Sequence, residues 1–291
     1  MKRDEKRALL TLPIIILFGV GLAIAGSQGA ATFIGIPVFA IGVALAFILN
    51  WIAFIPAYLR QTEKFFDLMG GITFISVSIL TVAASPVVDG RSWLLLGMVI
   101  VWALRLSSFL YKRIHSAGED RRFRGLKPSF PRFLLTWTLQ GAWVSFSLAA
   151  ALAAITSETR LDLGLFALIG FLVWAFGFVF EIIADSQKTK FNRDPANKGK
   201  FINIGVWSWS RHPNYFGEIV LWIGIALVAL PILRGWQWIT MISPFFITVL
   251  LTRVSGIPML EKRADQKWGG QEDYEAYKSH TSILIPLPPK D

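Results

Sequence analysis

The sequence contains no cysteine, which excludes a disulfide, a thiolate nucleophile and any sulfur-ligated metal. Histidine is almost as scarce. His115, His212 and His280 are the only three, and their spacing matches no metal-ligand pattern, so no metal centre is expected. Two nucleotide-binding signatures are missing as well. Gly19-Val-Gly21-Leu-Ala-Ile24 breaks the GxGxxG pattern at its third glycine, and no Walker loop occurs. Any nucleotide must therefore bind outside a Rossmann or P-loop frame. Long polar linkers, low-complexity tracts and internal repeats are also lacking, so residues 1–291 are expected to form one integral-membrane domain.

What the chain has is apolar surface. Hydrophobic residues make up 54% and aromatic residues 14% of the sequence, with a mean hydropathy of +0.54, too apolar for a soluble domain. Eight runs are long enough to cross a bilayer: 9–26, 31–58, 65–84, 92–111, 133–155, 161–184, 215–233 and 236–251. None alternates with period two, as a barrel strand would. The expected fold is all-α, a polytopic helical bundle of about eight transmembrane helices.

Charge tests the count. Lys and Arg number 4 in residues 1–8, 2 in 59–64, 7 in 112–132, 6 in 185–212 and 6 in 253–291. Arg91, Arg160 and Arg234 fall on the other side, and Arg105 lies inside a span. Eight spans with both termini cytoplasmic obey the positive-inside rule at every loop. The net charge of +10 is then a topology signal, and nucleic-acid binding is an unneeded second explanation. The first run is read as a retained helix, because removing it as a signal peptide would reverse the next span. Long cytoplasmic segments (112–132, 185–212 and 253–291) face short external ones, which places function at the cytoplasmic face.

Four clusters carry candidate chemistry. Ser210-Arg-His-Pro-Asn-Tyr-Phe-Gly-Glu218 opens an apolar run, and its Glu218 is a poor interfacial anchor, since anchors are Trp, Tyr, Lys and Arg. Asn214 and Glu218 share a helix face, and Arg211 and His212 beside a helix N-terminus suit phosphate or a carboxamide. Glu181, Asp185 and Lys188 share another face, followed by Lys190, Asn192 and Arg193; the bland reading is a solvated basic loop. Arg105 needs a partner in its span, with Glu63, Asp67 and Glu218 as candidates, whereas Arg253 suits snorkelling. Glu63 and Asp67, four apart, are expected to project together as helix caps or as a raised-pKa acid, with Tyr58 and Tyr111 at similar depth. The tail from Glu261 through Trp268 to Tyr277 reads as an amphipathic helix at the membrane interface, ended by Pro286, Pro288 and Pro289.

Asp185-Ser-Gln-Lys188, Phe191, Arg193 and Gly205-Val-Trp-Ser-Trp-Ser-Arg211-His-Pro-Asn-Tyr-Phe-Gly-Glu218 resemble the C-terminal half of membrane steroid 5α-reductases and related bacterial DUF1295 proteins, and sterol C14-type reductases. The segment 103–123, with Arg105 and Gly118-Glu-Asp-Arg-Arg-Phe123, and Gly256-Ile-Pro-Met-Leu-Glu261 look like the bacterial branch. The resemblance covers about residues 60–290, leaving residues 1–58 as an N-terminal two-helix part before a core of 59–291. It implies an NADPH-dependent oxidoreductase acting on the C=C of an enone lipid such as a 3-oxo-Δ4 steroid. By that analogy Asp185, Lys188, Arg193, Arg211, His212, Asn214, Tyr215, Glu218 and Arg253 line the cofactor site, with Arg105 added. Asn214 holds the nicotinamide amide, and Glu63 is the acid facing the substrate ketone, with Tyr111 as a displaced substrate tyrosine. Two departures stand out: Thr62 separates Gln61 from Glu63, and the family's substrate tyrosine falls near Trp102.

The His-Pro-Asn-Tyr-x-Gly element is shared with isoprenylcysteine and phospholipid methyltransferases, so an S-adenosylmethionine-dependent enzyme is the alternative. Here Lys262 follows Glu261, where those proteins carry a Glu-Glu pair. A non-catalytic lipid-binding protein is a third class. Expected partners are a lipid or steroid substrate and membrane lipids, without nucleic acid or an obligate protein partner, and a bacterial inner membrane is the expected location.

Overall fold

The computed structural model describes residues 2–117 and 119–289; Gly118, within one segment carrying the resemblance, lies outside them. Among the described residues, eight helices are long and apolar enough to cross a membrane, as the hydropathy runs predict. The chain is an integral membrane protein built as a helical bundle. The helices are α1 (Arg3–Gly26), α2 (Val38–Leu59), α3 (Phe66–Ala84), α4 (Gly90–Ala117), α5 (Phe130–Thr156), α6 (Leu165–Arg193), α7 (Pro213–Ala229), α8 (Ile242–Val249), α9 (Ile257–Trp268) and α10 (Glu272–His280).

Differences from the sequence expectation have local causes. The second span starts at Val38 because Thr32–Phe33 (β1) and Ile36–Pro37 (β2) form a two-stranded hairpin. Its turn residues Ile34 and Gly35 have φ of 51° and 75°, the left-handed pair a two-residue hairpin turn demands. The last span is composite: a 3-10 stretch Gly235–Met241, then α8, then a π-helical turn Leu250–Val254.

By packing, the chain divides into two units, Met1–Ala167 with Ala226–Ser243, and Leu168–Ile225 with Pro244–Asp291. In the first, α5 is the hub and packs on α1, α2, α3 and α4. Its stretch from Leu148 to Ile155 is wholly buried and contains five alanines, whose small side chains let neighbouring backbones approach, as membrane packing requires. The two buried amides between α2 and α5 are matched. Gln140 Nε2 donates to Asn50 Oδ1 (3.0 Å) and to the Phe66 carbonyl (2.9 Å), and Asn50 Nδ2 donates to the Ala46 carbonyl (2.8 Å). An unmatched amide in hydrocarbon would cost several kcal/mol, about 4–8 against cyclohexane.

The arginines assigned to the outer side have structural work. Arg91 is buried and donates to the carbonyls of Val228 (2.5 Å) and Asp162 (3.0 Å). Arg160 donates to those of Val87 (2.6 Å) and Ile155 (3.1 Å), the latter at the C-terminal end of α5. Cations on helix-end carbonyls offset the negative end of the dipole.

In the second unit, α6 and α7 touch backbone to backbone. A Cβ on Gly217 would lie 2.7 Å from the Glu181 nitrogen and the Gly177 carbonyl oxygen. A Cβ on Gly224 would lie 2.5 Å from the Trp174 nitrogen. Glycine at these crossings permits a contact that any side chain would block.

Candidate functional site

A half-open cavity of about 270 Å³ lies within the second unit. Its frame begins at the end of α6, which continues unbroken to Arg193, placing Lys188 and Asn192 on the cavity wall. The loop before α7 is clamped onto this helix end. Trp207 Nε1 donates to the Ala184 carbonyl (2.9 Å), and Val206 N donates to Gln187 Oε1 (3.0 Å). Gly205 has φ +61°, a left-handed conformation that favours glycine, and a Cβ there would lie 2.4 Å from Gln187 Oε1 and displace that amide. The Lys188 ammonium sits 4.3 Å from the Trp207 ring centroid, a cation–π distance.

The tail closes the cavity and forms two helices where one was expected. Gly269 and Gly270 split it into α9 and α10, and its aromatic residues make contacts with protein. Trp268 Nε1 donates to the Gly199 carbonyl (2.6 Å), and the Tyr277 hydroxyl to the Trp207 carbonyl (2.7 Å). Phe201 meets the rings of Trp268, Tyr274 and Tyr277 at 5.9, 5.3 and 5.3 Å. Matched ring edges and hydroxyls explain why these residues turn inward. The final strand-like stretch ties down the loop, with Arg211 N donating to the Ser282 carbonyl (2.8 Å) and Ser210 Oγ to that of Leu284 (2.8 Å).

Charge in the cavity is one-sided. Lys188, Lys200, Arg211, Arg263 and Lys267 line it, against the single carboxylate of Glu261. Glu261 accepts from His212 Nε2 (2.7 Å) through one oxygen and pairs with Arg211 Nη1 (3.0 Å) through the other. A carboxylate partner fixes the imidazole with its proton on Nε2. Burial lowers the His212 pKa below the ordinary 6.5, the Glu261 bond opposing this only in part. Burial also pushes the Tyr277 phenol well up. Burial and the bond to Asp265 push Tyr274 up to about 12. Both tyrosines stay neutral donors at any physiological pH.

Of the site residues expected from sequence, Lys188, Arg211 and His212 meet in this cavity. Asp185 and Glu218 are buried on α6 and α7. Asn214 and Tyr215 occupy the first turn of α7, where the Tyr215 ring stacks on His212 at 5.8 Å. Arg193 and Arg253 are exposed and outside the cavity lining, Arg253 within the π-helical turn. Sequence reasoning missed Lys200, Arg263 and Lys267, which read as ordinary positive-inside charges. Glu261 was visible only as part of a family-like tail.

The expected acids lie in the first unit. Glu63 and Asp67 do not project together, because α3 begins at Phe66 and leaves Glu63 in the preceding loop. That loop is held by Glu63 itself. Its carboxylate, almost fully buried, accepts from Lys127 Nζ (2.5 Å) and the Asp120 N–H (2.9 Å). Asp67 lines a cleft of only about 20 Å³ with Trp102 and Trp143, and Trp102 is fully buried against Phe74 (5.0 Å). Tyr58 stacks on Phe54 (5.5 Å), Tyr111 is exposed near the end of α4, and Arg105 lies over the Phe109 ring (5.5 Å). Among the described residues no group of three or more His, Asp or Glu is placed to hold a metal.

Comparison with known proteins adds three relatives and one family. The family model DUF1295, a protein of unknown function, matches residues 53–281. The chain is 29% identical over 120 residues to 3-oxo-5-alpha-steroid 4-dehydrogenase 1 of Bos taurus, covering 41% of each chain, and equally to that of Rattus norvegicus. It is 37% identical over 60 residues to a probable O-methyltransferase, ustE, of Ustilaginoidea virens, covering 21% of each. The chain thus spans between about a fifth and two fifths of the curated relatives it matches. No solved structure matches it significantly.

Proposed function

The chain belongs to the DUF1295 family, and from that premise we propose that it is an NADPH-dependent membrane reductase of an enone lipid. The observation that carries this reading is the charge of the cavity: five cations around one carboxylate. Such a wall favours a polyanion, and clustered Lys and Arg with a neutral donor rim suit phosphate groups. Its volume of about 270 Å³ falls at the low end of small-molecule sites, roughly 300–1,000 Å³, enough for one end of a dinucleotide. The residues present therefore fit the phosphorylated adenosine end of NADPH.

Bound there, NADPH would supply a hydride. The chain's residues would do the rest. Lys200, Arg263 and Lys267 would hold phosphate oxygens, and the Phe201, Trp268 and Tyr274 wall would take a flat ring. Arg211, paired with Glu261, would donate beside the N-terminus of α7, and His212, whose Nε2 proton is committed to Glu261, would offer Nδ1 as an acceptor. Asp185, Asn214, Tyr215 and Glu218, on the facing turns of α6 and α7, would orient the rest of the cofactor. Arg193, Arg253 and Arg105 remain outer members of the proposed set. Glu63 or Tyr111 would donate to the substrate carbonyl, Asp67 and Tyr58 being the alternatives, and Glu63 takes that role only by releasing Lys127. The proposed location is a bacterial inner membrane with the site open to the cytoplasm.

A methyltransferase reading has support in the 60-residue match to the probable O-methyltransferase. S-adenosylmethionine carries a sulfonium cation and no phosphate, so a wall of cations disfavours it. The test is consumption of NADPH by the purified protein with a panel of 3-oxo-Δ4 steroids and other flat enones. Saturated product with oxidised cofactor supports the reading. Methylated lipid from S-adenosylmethionine, with no NADPH consumed, overturns it.

A further inference from the structure

The first unit contains a second cavity, unrelated in residues and in chemistry to the one assigned to a cofactor. It is a half-open groove of about 350 Å³ along the last three turns of α2, from Leu49 to Arg60, walled also by Thr62, Phe65, Met69 and Trp137. Its lining is apolar except at one end, where Arg60 and Thr62 stand. We propose that this groove is a specific binding site for one acyl chain of an anionic phospholipid, with the phosphate at Arg60.

Three observations converge. The first is length. Eleven helical steps from Leu49 to Arg60 at about 1.5 Å each span roughly 16 Å, about half of a hydrocarbon core of about 30 Å. The groove therefore has the reach of one leaflet, and the depth of one acyl chain. The second is the groove's wall. Pro56, inside α2, has no N–H to give the Ile52 carbonyl, which therefore lacks its usual intrahelical donor. Ile52 and Pro56 are both groove residues, and Ile52, Ile55 and Leu59 are exposed apolar side chains on the same helix end. The groove is thus reached from the bilayer, which makes a membrane lipid its occupant. The third is the mouth. Gln61 closes α2 with φ +49°, a left-handed conformation costly for any residue but glycine, and its amide donates to the Tyr58 carbonyl at 2.7 Å. That turn leaves Arg60 exposed where the chain leaves the span. A cation at the end of an apolar groove matches an anionic headgroup and gives a zwitterionic one no advantage.

The experiment is native mass spectrometry of the full chain in detergent, with phosphatidylglycerol, phosphatidylcholine and palmitate offered separately and in pairs. Wild type is expected to retain one phosphatidylglycerol about fivefold better than phosphatidylcholine, the preference one surface cation gives. Arg60→Gln should erase that preference, and Ala53→Phe, which fills the groove, should remove the retained lipid. A thermal midpoint within a few degrees of wild type qualifies each variant as folded, and Ile52→Trp replaces Ala53→Phe should that one unfold. Equal retention of the two phospholipids by wild type, retention unaltered by filling the groove, or displacement of phosphatidylglycerol by equimolar palmitate would each overturn the proposal.

Discussion

Glu261 illustrates how much one side chain decides. It joins His212 at 2.7 Å and Arg211 at 3.0 Å, so removing its charge frees two donors of the cavity wall at once. Charge-assisted bonds are worth about 1.5–3 kcal/mol. Glu261→Gln is therefore expected to weaken NADPH binding by about tenfold, measured by calorimetric titration; unaltered affinity would show that Arg211 and His212 need no such support. His212 also sets a pH dependence. Because burial lowers its pKa from 6.5, the folded chain holds fewer protons than the unfolded one just below that value, and stability falls with falling pH. The thermal midpoint should drop between pH 7.5 and pH 5.5 by a larger margin in wild type than in His212→Gln. Glu63 gives a third case. Its pair with Lys127 is almost closed to solvent on the carboxylate side, and breaking a buried pair costs about 3–5 kcal/mol. Lys127→Met should destabilise the protein by about 3 kcal/mol in a chemical-denaturation midpoint series, and Lys127→Met with Glu63→Gln should recover part of that loss.

Helix crossings make a different kind of demand. Gly177→Ala places a methyl 2.6 Å from the Gly217 carbonyl oxygen and the Leu221 nitrogen, so α6 and α7 must part. Overpacking of this kind costs about 1–3 kcal/mol, and a lower thermal midpoint with weakened cofactor binding is expected. The sequence showed the spans but not such crossings. Apolar runs of bilayer length have a single stable solution in lipid, a helix with its backbone bonds internal, so all eight were legible. Periodicity says little about which glycine meets which backbone, since a buried membrane helix is apolar on every side. The hairpin at residues 32–37 hid inside an apolar run because Phe33, Ile34 and Ile36 are as hydrophobic as the helix they precede. The tail's division into two helices at Gly269 and Gly270 was less legible, because its amphipathic pattern runs across the break and suits a membrane surface and a protein cavity equally. Likewise Lys188, Arg211 and His212 were legible through their motif, whereas Lys200, Arg263 and Lys267 belong to no motif and converge through folding alone.

Topology carries a prediction that the absence of cysteine makes easy to check. With no native thiol, single cysteines report sidedness directly. Under the positive-inside arrangement, Lys6→Cys, Lys198→Cys and Ser279→Cys should react only with a reagent that crosses the membrane, and Thr159→Cys with an impermeant one. The same arrangement puts the cation-lined cavity within reach of a soluble cofactor. The most direct test is the thermal midpoint of the detergent-purified protein with NADPH, NADH or S-adenosylmethionine, for wild type and for Arg263→Ala with Lys267→Ala. Ligand that binds only the folded state must raise the midpoint. The account predicts a rise with NADPH, a smaller one with NADH, none with S-adenosylmethionine, and loss of the NADPH effect in the double variant. A rise with S-adenosylmethionine alone, or an NADPH effect that survives removal of both cations, would contradict it.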